Sequence, residues 1–181
     1  MLILASGSPR RQELLKLVTA DYKIISPDVD ESQISGLSPE DTVEALALLK
    51  AGAVFESHPK DTVLGADTIV ELDGQILGKP HSHSEAVDML TALSGRSHRV
   101  LTGVALLKGS TKTVTHVATE VVFEKMTAKE IEDYVNTGEP MDKAGAYGIQ
   151  GYASKFVKSV NGDYFNIVGL PVNKVYNMLK N

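Results

Sequence analysis

The chain begins with an alternation of apolar and polar segments that predicts a strand followed by a helix. The apolar run Leu2-Ile3-Leu4-Ala5 is short enough for one buried strand, and Ser8-Pro9 has the residue types preferred at a helix N-cap and first position. We expect this helix to continue through residues 12–18. Arg10 and Arg11 lie in its first turn, where the helix dipole disfavours cations. The stretch is typical either of a phosphate site, built from N–H groups and guanidinium groups, or of a capped surface helix with solvated arginines.

The same reading predicts alternating strands and helices in the first half and hairpins in the second half, so we expect one mixed α/β sheet. Predicted strands cover residues 22–26, 62–72, 75–77, 98–107, 113–123, 156–160 and 164–168. Predicted helices follow Ser38-Pro39, Ser82, Thr127 and Pro171, the last of them carrying Val175 and Leu179. Turns are predicted at Asp73-Gly74 and Asn161-Gly162.

Composition limits the class of protein. The 181 residues fit a single domain, 1–181, or at most two small lobes. The absence of cysteine excludes disulfides and thiolate metal sites and suits a reducing compartment. The apolar start is too short to span a membrane and its arginines follow it, unlike those of a signal peptide, so we expect a cytoplasmic protein. A net charge of -5 argues against a nucleic acid polymer or a membrane surface as partner.

Asp67 is the strongest catalytic candidate, because a carboxylate inside an apolar strand is costly unless something pairs with it. A metal ion, a lysine or a water awaiting deprotonation would serve. Glu31 could be a second carboxylate ligand for Mg²⁺ or simply a solvated loop acid. The lysines near apolar or glycine-rich elements are open to both a functional and a surface role; they are Lys50, Lys79 and Lys143.

A glycine-rich loop, residues 139–151, is the second candidate region, since such loops in compact domains are often functional. It matches neither the P-loop nor the dinucleotide-binding pattern. Its glycines recur around Gln150, whose amide could read the edge of a base. Ser6 and Ser8 would need an activating base to be nucleophiles, and capping explains Ser8 more simply. The pair His81 and His83 has metal-like spacing but no acidic or cysteine partner nearby in sequence.

Taken in order, short motifs along essentially the whole chain resemble the Maf family of nucleotide pyrophosphatases. The motifs are residues 4–11, Asp30-Glu31, Lys50-Ala51, residues 65–68, Gly78-Lys79-Pro80, Leu93-Ser94-Gly95, residues 139–151, Gly162-Asp163-Tyr164 and Gly169-Leu170-Pro171. Each motif is weak alone, but their order and spacing together are specific. Gly52 inside a predicted helix and the turn 18–21, which lacks the usual glycine, are small departures.

The resemblance implies an elongated mixed β-sheet with flanking helices and a deep cleft between two lobes, similar to the inosine triphosphate pyrophosphatases. It also implies a homodimer that uses a divalent metal cation, Mg²⁺ or Mn²⁺, to hydrolyse a small nucleoside triphosphate to its monophosphate and pyrophosphate. On matching positions, Asp67 resembles the general base, Glu31 and Asp67 the metal ligands, and Arg11, Lys50, Lys79, Asp142 and Lys143 the other catalytic residues. Ser6 and Ser8 fall in the substrate-binding turn.

The positions that set base preference in the family are Arg10, Thr68 and Gln150 here, and they resemble the subgroup acting on dTTP and UTP. A housecleaning role against modified pyrimidine nucleotides is part of the same implication. Two alternatives remain open: a pyrophosphatase for 7-methyl-GTP or deaminated purine triphosphates, and a non-catalytic regulator of septum formation.

Overall fold

The computed structural model describes residues 1–180. Within that range, runs of apolar and β-branched residues form one seven-stranded mixed sheet, as expected for strands buried on one or both faces. The strands are β1 (Leu2–Ala5), β2 (Lys23–Ile25), β3 (Thr62–Leu72), β4 (Gln75–Leu77), β5 (Ser97–Lys108), β6 (Thr111–Phe123) and β7 (Val157–Asn161).

The order of the strands is β2-β1-β3-β5-β6-β7, with β4 paired to β3. β1 is parallel to both neighbours, so that Ile3 lies opposite Lys23 on one side and Val63 on the other. β3 and β4 are antiparallel, as are β6 and β7. The predicted mixed α/β fold is therefore confirmed, and the boundaries of β3 and β4 are those expected from the sequence.

Six helices occur in the described part of the chain, and most begin at the predicted caps. They are α1 (Pro9–Lys16), α2 (Pro39–Ser57), α3 (His83–Leu93), α4 (Ala128–Val135), α5 (Tyr164–Val168) and α6 (Val172–Lys180). The Ser38 hydroxyl caps α2, and Thr127 with Glu130 forms a complete capping box at α4. The box predicted at α3 is only half formed, because the Glu85 carboxylate accepts from the backbone N–H of His81 instead.

The chain divides into two compact units. The first contains residues 1–68, 101–117 and 165 onward. Its core joins side chains of β1, α2, β3 and β5, among them Ile3, Ala47 and Val63. Two glycines allow α2 to lie directly on the strands: a Cβ on Gly65 would come within 2.8 Å of the backbone nitrogen of Ala51, and one on Gly103 would meet the backbone of residues 43–44. The close approach of α2 therefore depends on these glycines.

The second unit contains residues 69–100 and 118–164. Here α3 packs against α4 and against the glycine-rich loop. That loop is a series of short 3₁₀ turns, Glu139–Asp142 and Ala144–Ala146, rather than an extended segment. The buried ring of Tyr147, in this loop, meets the buried rings of His98 and Phe123 edge to face.

The predicted hairpin around Asn161-Gly162 is wrong. Residues 157–161 form β7, but its partner is β6, and residues 164–168 form the short helix α5. Gly162 has φ +128, and the Thr119 hydroxyl holds the backbone of Asp163 on both sides, which turns the chain away from β7. A run of aromatic and β-branched residues favoured a strand locally, and these tertiary contacts override it.

Two helix limits also differ from the predictions. α1 ends at Lys16 rather than at residue 18, and in α6 the buried side chains are Val175 and Met178, with Leu179 half-buried. No helix within residues 1–180 has the length and apolar character needed to cross a membrane.

Candidate active site

The turn between β1 and α1 has the predicted position but not the predicted cap. Ser8 is the N-cap residue and Pro9 the first helical residue, yet the Ser8 side chain makes no capping hydrogen bond. Instead the Ser6 hydroxyl accepts from the Ser8 N–H at 3.2 Å. Capping therefore does not explain the Ser8 hydroxyl, and it is Ser6, 4% exposed, that orders the turn.

Glu31, Lys50 and Asp67 form one charged cluster in the first unit. The Lys50 ammonium lies 2.5 Å from Asp67 Oδ1 and 2.8 Å from Glu31 Oε1. The side chains of Lys50 and Asp67 are 12% and 11% exposed, whereas that of Glu31 is 53% exposed. The lysine thus supplies the partner that a carboxylate in an apolar strand requires, and both carboxylates converge on one cation.

The pairing of Lys50 with Asp67 follows from the alternation of side chains along β3. Gly65 and Asp67 are two residues apart and share a face of the strand. Gly65 has no side chain to hold α2 away, so Lys50, one residue before Ala51 on that helix, reaches the carboxylate. Glu31 enters from a short 3₁₀ turn, Glu31–Gln33, which the side chain of Asp30 caps by accepting from Ser32 N–H.

Arg11 and Thr68 form a second cluster in the same unit. Arg11 Nε donates to the carbonyl of Gly169 at 2.8 Å, and Arg11 Nη2 donates to Thr68 Oγ1 at 3.0 Å. Thr68 Oγ1 in turn lies 2.9 Å from Thr102 Oγ1, which donates to the carbonyl of Asn166 at 3.0 Å.

The direction of this chain of hydrogen bonds follows from the count of protons. A hydroxyl has one proton, and that of Thr102 goes to the Asn166 carbonyl. Thr102 must therefore accept from Thr68, and Thr68 accepts from Arg11. The Thr68 hydroxyl thus donates its proton to Thr102 and accepts from the Arg11 guanidinium.

The electrostatic environment of Arg11 joins the two clusters. Burial lowers the pKa of Arg11, the Asp67 carboxylate raises it, and the neighbouring Arg10 lowers it again. Arg11 remains a cation near neutral pH because guanidinium groups do not deprotonate in proteins. The first unit therefore presents an oriented guanidinium and a lysine beside two carboxylates.

The second unit carries the other predicted site residues. The N–H of Gly145 donates to the carbonyl of Gly78 at 3.0 Å, which brings the exposed residue Lys79 next to the glycine-rich loop. Lys143 Nζ lies 2.7 Å from Asp142 Oδ1 and donates to the Glu139 carbonyl at 2.8 Å. Gln150 is exposed near the end of the loop.

Sequence reasoning missed residues that hold these side chains in place. Thr102 lies in the apolar run of β5 and is fully buried, the same signal that identified Asp67. Glu139 gave no such signal, because an acid before a proline in a loop is ordinary. Gly169 belongs to a motif that we singled out, but its carbonyl contact with Arg11 depends on residues 158 positions apart.

No group of three or more histidine or acidic side chains within residues 1–180 is arranged to hold a metal ion. His83, from the pair with metal-like spacing, contacts Glu132 and Asn136. The converging carboxylates of Glu31 and Asp67 do fit Mg²⁺ or Mn²⁺, since both ions favour oxygen ligands and Mg²⁺ keeps several waters when bound to one or two carboxylates.

The chain matches known proteins over essentially its whole length. A family model described as "Maf-like protein" matches residues 1–181. A relative from Symbiobacterium thermophilum, named dTTP/UTP pyrophosphatase, is 54% identical over 178 residues, covering 98% of this chain and 92% of its own. One of the same name from Bacillus cytotoxicus is 51% identical over 179 residues, covering 98% and 93%.

Solved structures support the fold. The Ham1 protein of Staphylococcus aureus matches with a TM-score of 0.58 at 15% identity, over 99% of this chain and 97% of that one. A HAM1 protein from Coxiella burnetii gives 0.59 at 17% identity, over 99% and 98%.

Proposed function

Because the chain belongs to the Maf-like family, we propose that it is a hydrolase that cleaves dTTP and UTP to the monophosphate and pyrophosphate. The observation that carries the chemistry is the cluster in which the Lys50 ammonium contacts the carboxylates of both Asp67 and Glu31. Such a cluster holds a base in position and supplies positive charge next to it.

Charge is the main obstacle to this reaction. A nucleoside triphosphate carries about four negative charges near neutral pH, and an attacking oxygen must approach the α-phosphorus through that field. Arg11, oriented by Gly169 and Thr68, and Lys50 are the cations of the first unit that would bind the phosphates. We assign Lys79 and Lys143 the same role, with Asp142 holding Lys143. Ser6 and Ser8 would bind phosphate oxygens at the turn before α1.

In the proposed step, Asp67 accepts a proton from a water molecule whose oxygen forms a bond to the α-phosphorus. The bond from that phosphorus to the oxygen bridging the α and β phosphates breaks, and the electron pair leaves with pyrophosphate. Lys50 keeps the Asp67 carboxylate oriented toward the water. A divalent cation held by Glu31 and Asp67 would neutralise phosphate charge and acidify a bound water.

Base preference would come from Arg10, Thr68 and Gln150. Since the Thr68 hydroxyl is engaged by Arg11 and Thr102, its contribution would pass through the position of Arg11. Gln150 is exposed and has both a donor and an acceptor, which suits the edge of a pyrimidine.

The activity is tested by measuring pyrophosphate release from a panel of triphosphates with Mg²⁺ or Mn²⁺, with 7-methyl-GTP and deaminated purine triphosphates included. We expect dTTP and UTP to be the best substrates. Faster pyrophosphate release from another triphosphate of the panel would replace the assignment of dTTP and UTP as substrates. Release from none of the triphosphates would favour a regulatory protein.

Replacing Asp67, the proposed general base, gives a sharper test. Asp67→Asn should lower kcat by at least about a hundredfold while leaving the fold intact, the scale of a lost general base. Asp21→Asn, at an exposed position of the same unit, is the matched control. Near-normal turnover by the Asp67 variant would remove Asp67 from this role.

Gln150→Ala tests base selection. It should reduce the ratio of kcat/KM for UTP to that for purine triphosphates more than it reduces the maximal rate. An unchanged ratio would show that Gln150 does not read the base.

We further propose a cytoplasmic homodimer, as the family resemblance implies. Sedimentation equilibrium at micromolar concentration should give twice the monomer mass; a monomer mass would reject the dimer.

A further inference from the structure

Glu139, the first residue of the glycine-rich loop, accepts three hydrogen bonds through its side chain and its backbone carbonyl. Its Oε1 accepts from the Tyr134 hydroxyl of α4 at 2.8 Å, and its Oε2 accepts from the backbone N–H of Tyr152 at 3.0 Å. Its backbone carbonyl accepts from Lys143 Nζ at 2.8 Å. One residue therefore joins the start of the loop to its end, to the neighbouring helix and to a lysine assigned to phosphate binding.

Two glycines of the loop make room for this arrangement. A Cβ on Gly151 would overlap the Glu139 carboxylate, and one on Gly148 would come within 2.6 Å of Lys143 Cε. Neither glycine has a positive φ, so it is space rather than backbone conformation that requires them. The Gly148 N–H also donates to the Tyr134 hydroxyl at 3.3 Å. The side chains of Tyr134 and Glu139 thus hold the backbone of the last part of the loop at Gly148 and at Tyr152.

We infer that Glu139 is a positioning residue, which fixes the glycine-rich loop so that Lys143 and Gln150 are held ready for the substrate. The inference rests on the proposed function for the roles of Lys143 and Gln150. Glu139 itself acts through hydrogen bonds and not through its charge.

The distinction between hydrogen bonding and charge can be tested, because glutamine can replace the bonds of Glu139. The Tyr152 N–H can only donate, so the amide oxygen would face it, and the amide NH₂ would then donate to the Tyr134 hydroxyl. Glu139→Gln therefore keeps a hydrogen bond to each partner without the negative charge, although the bond to Tyr134 is reversed and the Tyr134 proton loses its acceptor. Glu139→Ala removes both.

The experiment compares these two variants in kcat and KM for UTP and in hydrogen exchange of the Tyr152 and Gly148 amides. We expect Glu139→Ala to lose at least about tenfold in kcat/KM and to accelerate both amides at least about tenfold. Glu139→Gln should stay within about threefold of the unmodified protein on each measure. Unchanged exchange at Val63 of β3 serves as the control for global unfolding.

A second variant tests the same contact from the other side. Gly151→Ala should displace the carboxylate and lower kcat/KM about as far as Glu139→Ala. The double variant should be no worse than either single one, because both remove the same contact. Gly52→Ala is the control, because an added Cβ there would meet no atom of residues 1–180 within 4 Å other than nearby backbone of its own helix.

The outcomes separate the inference from the proposed function. If the unmodified protein releases no pyrophosphate, the proposed function fails, and amide exchange still decides whether Glu139 holds the loop. If Glu139→Ala stays within twofold in exchange and activity, the inference is overturned. If Glu139→Gln is as inactive as Glu139→Ala with normal exchange, the charge takes part directly, which also overturns it.

Discussion

Acidification should destabilise the protein through His98, a buried side chain of β5. It is 3% exposed, its Nε2 lies 2.7 Å from the Tyr147 hydroxyl, and its Nδ1 has no hydrogen-bond partner among residues 1–180. Its ring packs edge to face on Phe123, with centroids 4.9 Å apart. Burial lowers the pKa of His98 from 6.5 to about 4, against a smaller opposing effect of the Glu71 carboxylate.

The sign and size of the effect follow from that shift. A folded-state pKa below the unfolded value means that the unfolded chain binds the proton first as the pH falls. The contribution of neutral His98 is therefore complete above pH 6.5 and is lost between about pH 6.5 and 4. At about 1.4 kcal/mol per pKa unit, the free energy of unfolding falls by about 2 kcal/mol at pH 5 and about 3 kcal/mol at pH 4.

The measurement is urea unfolding at pH 7, 6 and 5 for the unmodified protein and for His98→Gln, which cannot titrate in this range. The unmodified protein should lose about 2 kcal/mol more than the variant between pH 7 and pH 5. His81→Gln, at an exposed position, is the control and should retain the full pH dependence. Parallel pH profiles for the unmodified protein and His98→Gln would refute the reasoning, because they would mean that His98 binds its proton equally well in both states.

Three further predictions concern the first unit. Gly65→Ala should lower the free energy of unfolding by about 1–3 kcal/mol in urea unfolding, and it should also reduce turnover. The reason is that its methyl group would push α2 and Lys50 away from Asp67. Unchanged stability would contradict the close approach of α2 to β3. Thr68→Val should raise KM for UTP several-fold and lower the free energy of unfolding by about 1–3 kcal/mol, since Arg11 and Thr102 each lose a hydrogen-bond partner. An unaltered KM would show that Arg11 does not need the hydrogen bond to Thr68. Gly52→Ala should raise the midpoint of thermal unfolding and add up to about 1 kcal/mol to the free energy of unfolding, because a methyl group at this helical position has open space. A lower midpoint would reveal an unfavourable contact of that methyl group.

The local signals in the sequence predicted local structure well. The turn at Asp73-Gly74, the limits of β3 and the capping box at Thr127 all depend on neighbouring residues, and each is found in the structure. The helix at residues 164–168 was mispredicted as a strand because its aromatic and β-branched residues favour strands. Its conformation is determined by distant contacts, including the hydrogen bond from Thr102 to the carbonyl of Asn166, 64 positions away.

The sequence named candidate site residues one by one but did not predict which of them contact each other. Asp67 was identifiable because a carboxylate in an apolar strand needs a partner, yet the sequence offered a metal, a lysine or a water equally. The choice of Lys50 depends on how closely α2 approaches β3, which Gly65 decides. Thr102 was not named, and Glu139 was named only as the first residue of the motif 139–151, because their partners are separated from them in the sequence or are backbone atoms.

The alternation of Asp67 and Thr68 along β3 has a consequence for how this segment can vary in length. Asp67 faces Lys50 on one side of the strand, and Thr68 faces Arg11 on the other. Inserting or deleting a single residue between Gly65 and Asp67 would put the carboxylate on the side of the strand that faces Arg11 and the threonine hydroxyl on the side that faces Lys50. We expect such length changes to abolish function here, whereas the Asp73-Gly74 turn at the end of the same strand should accept them.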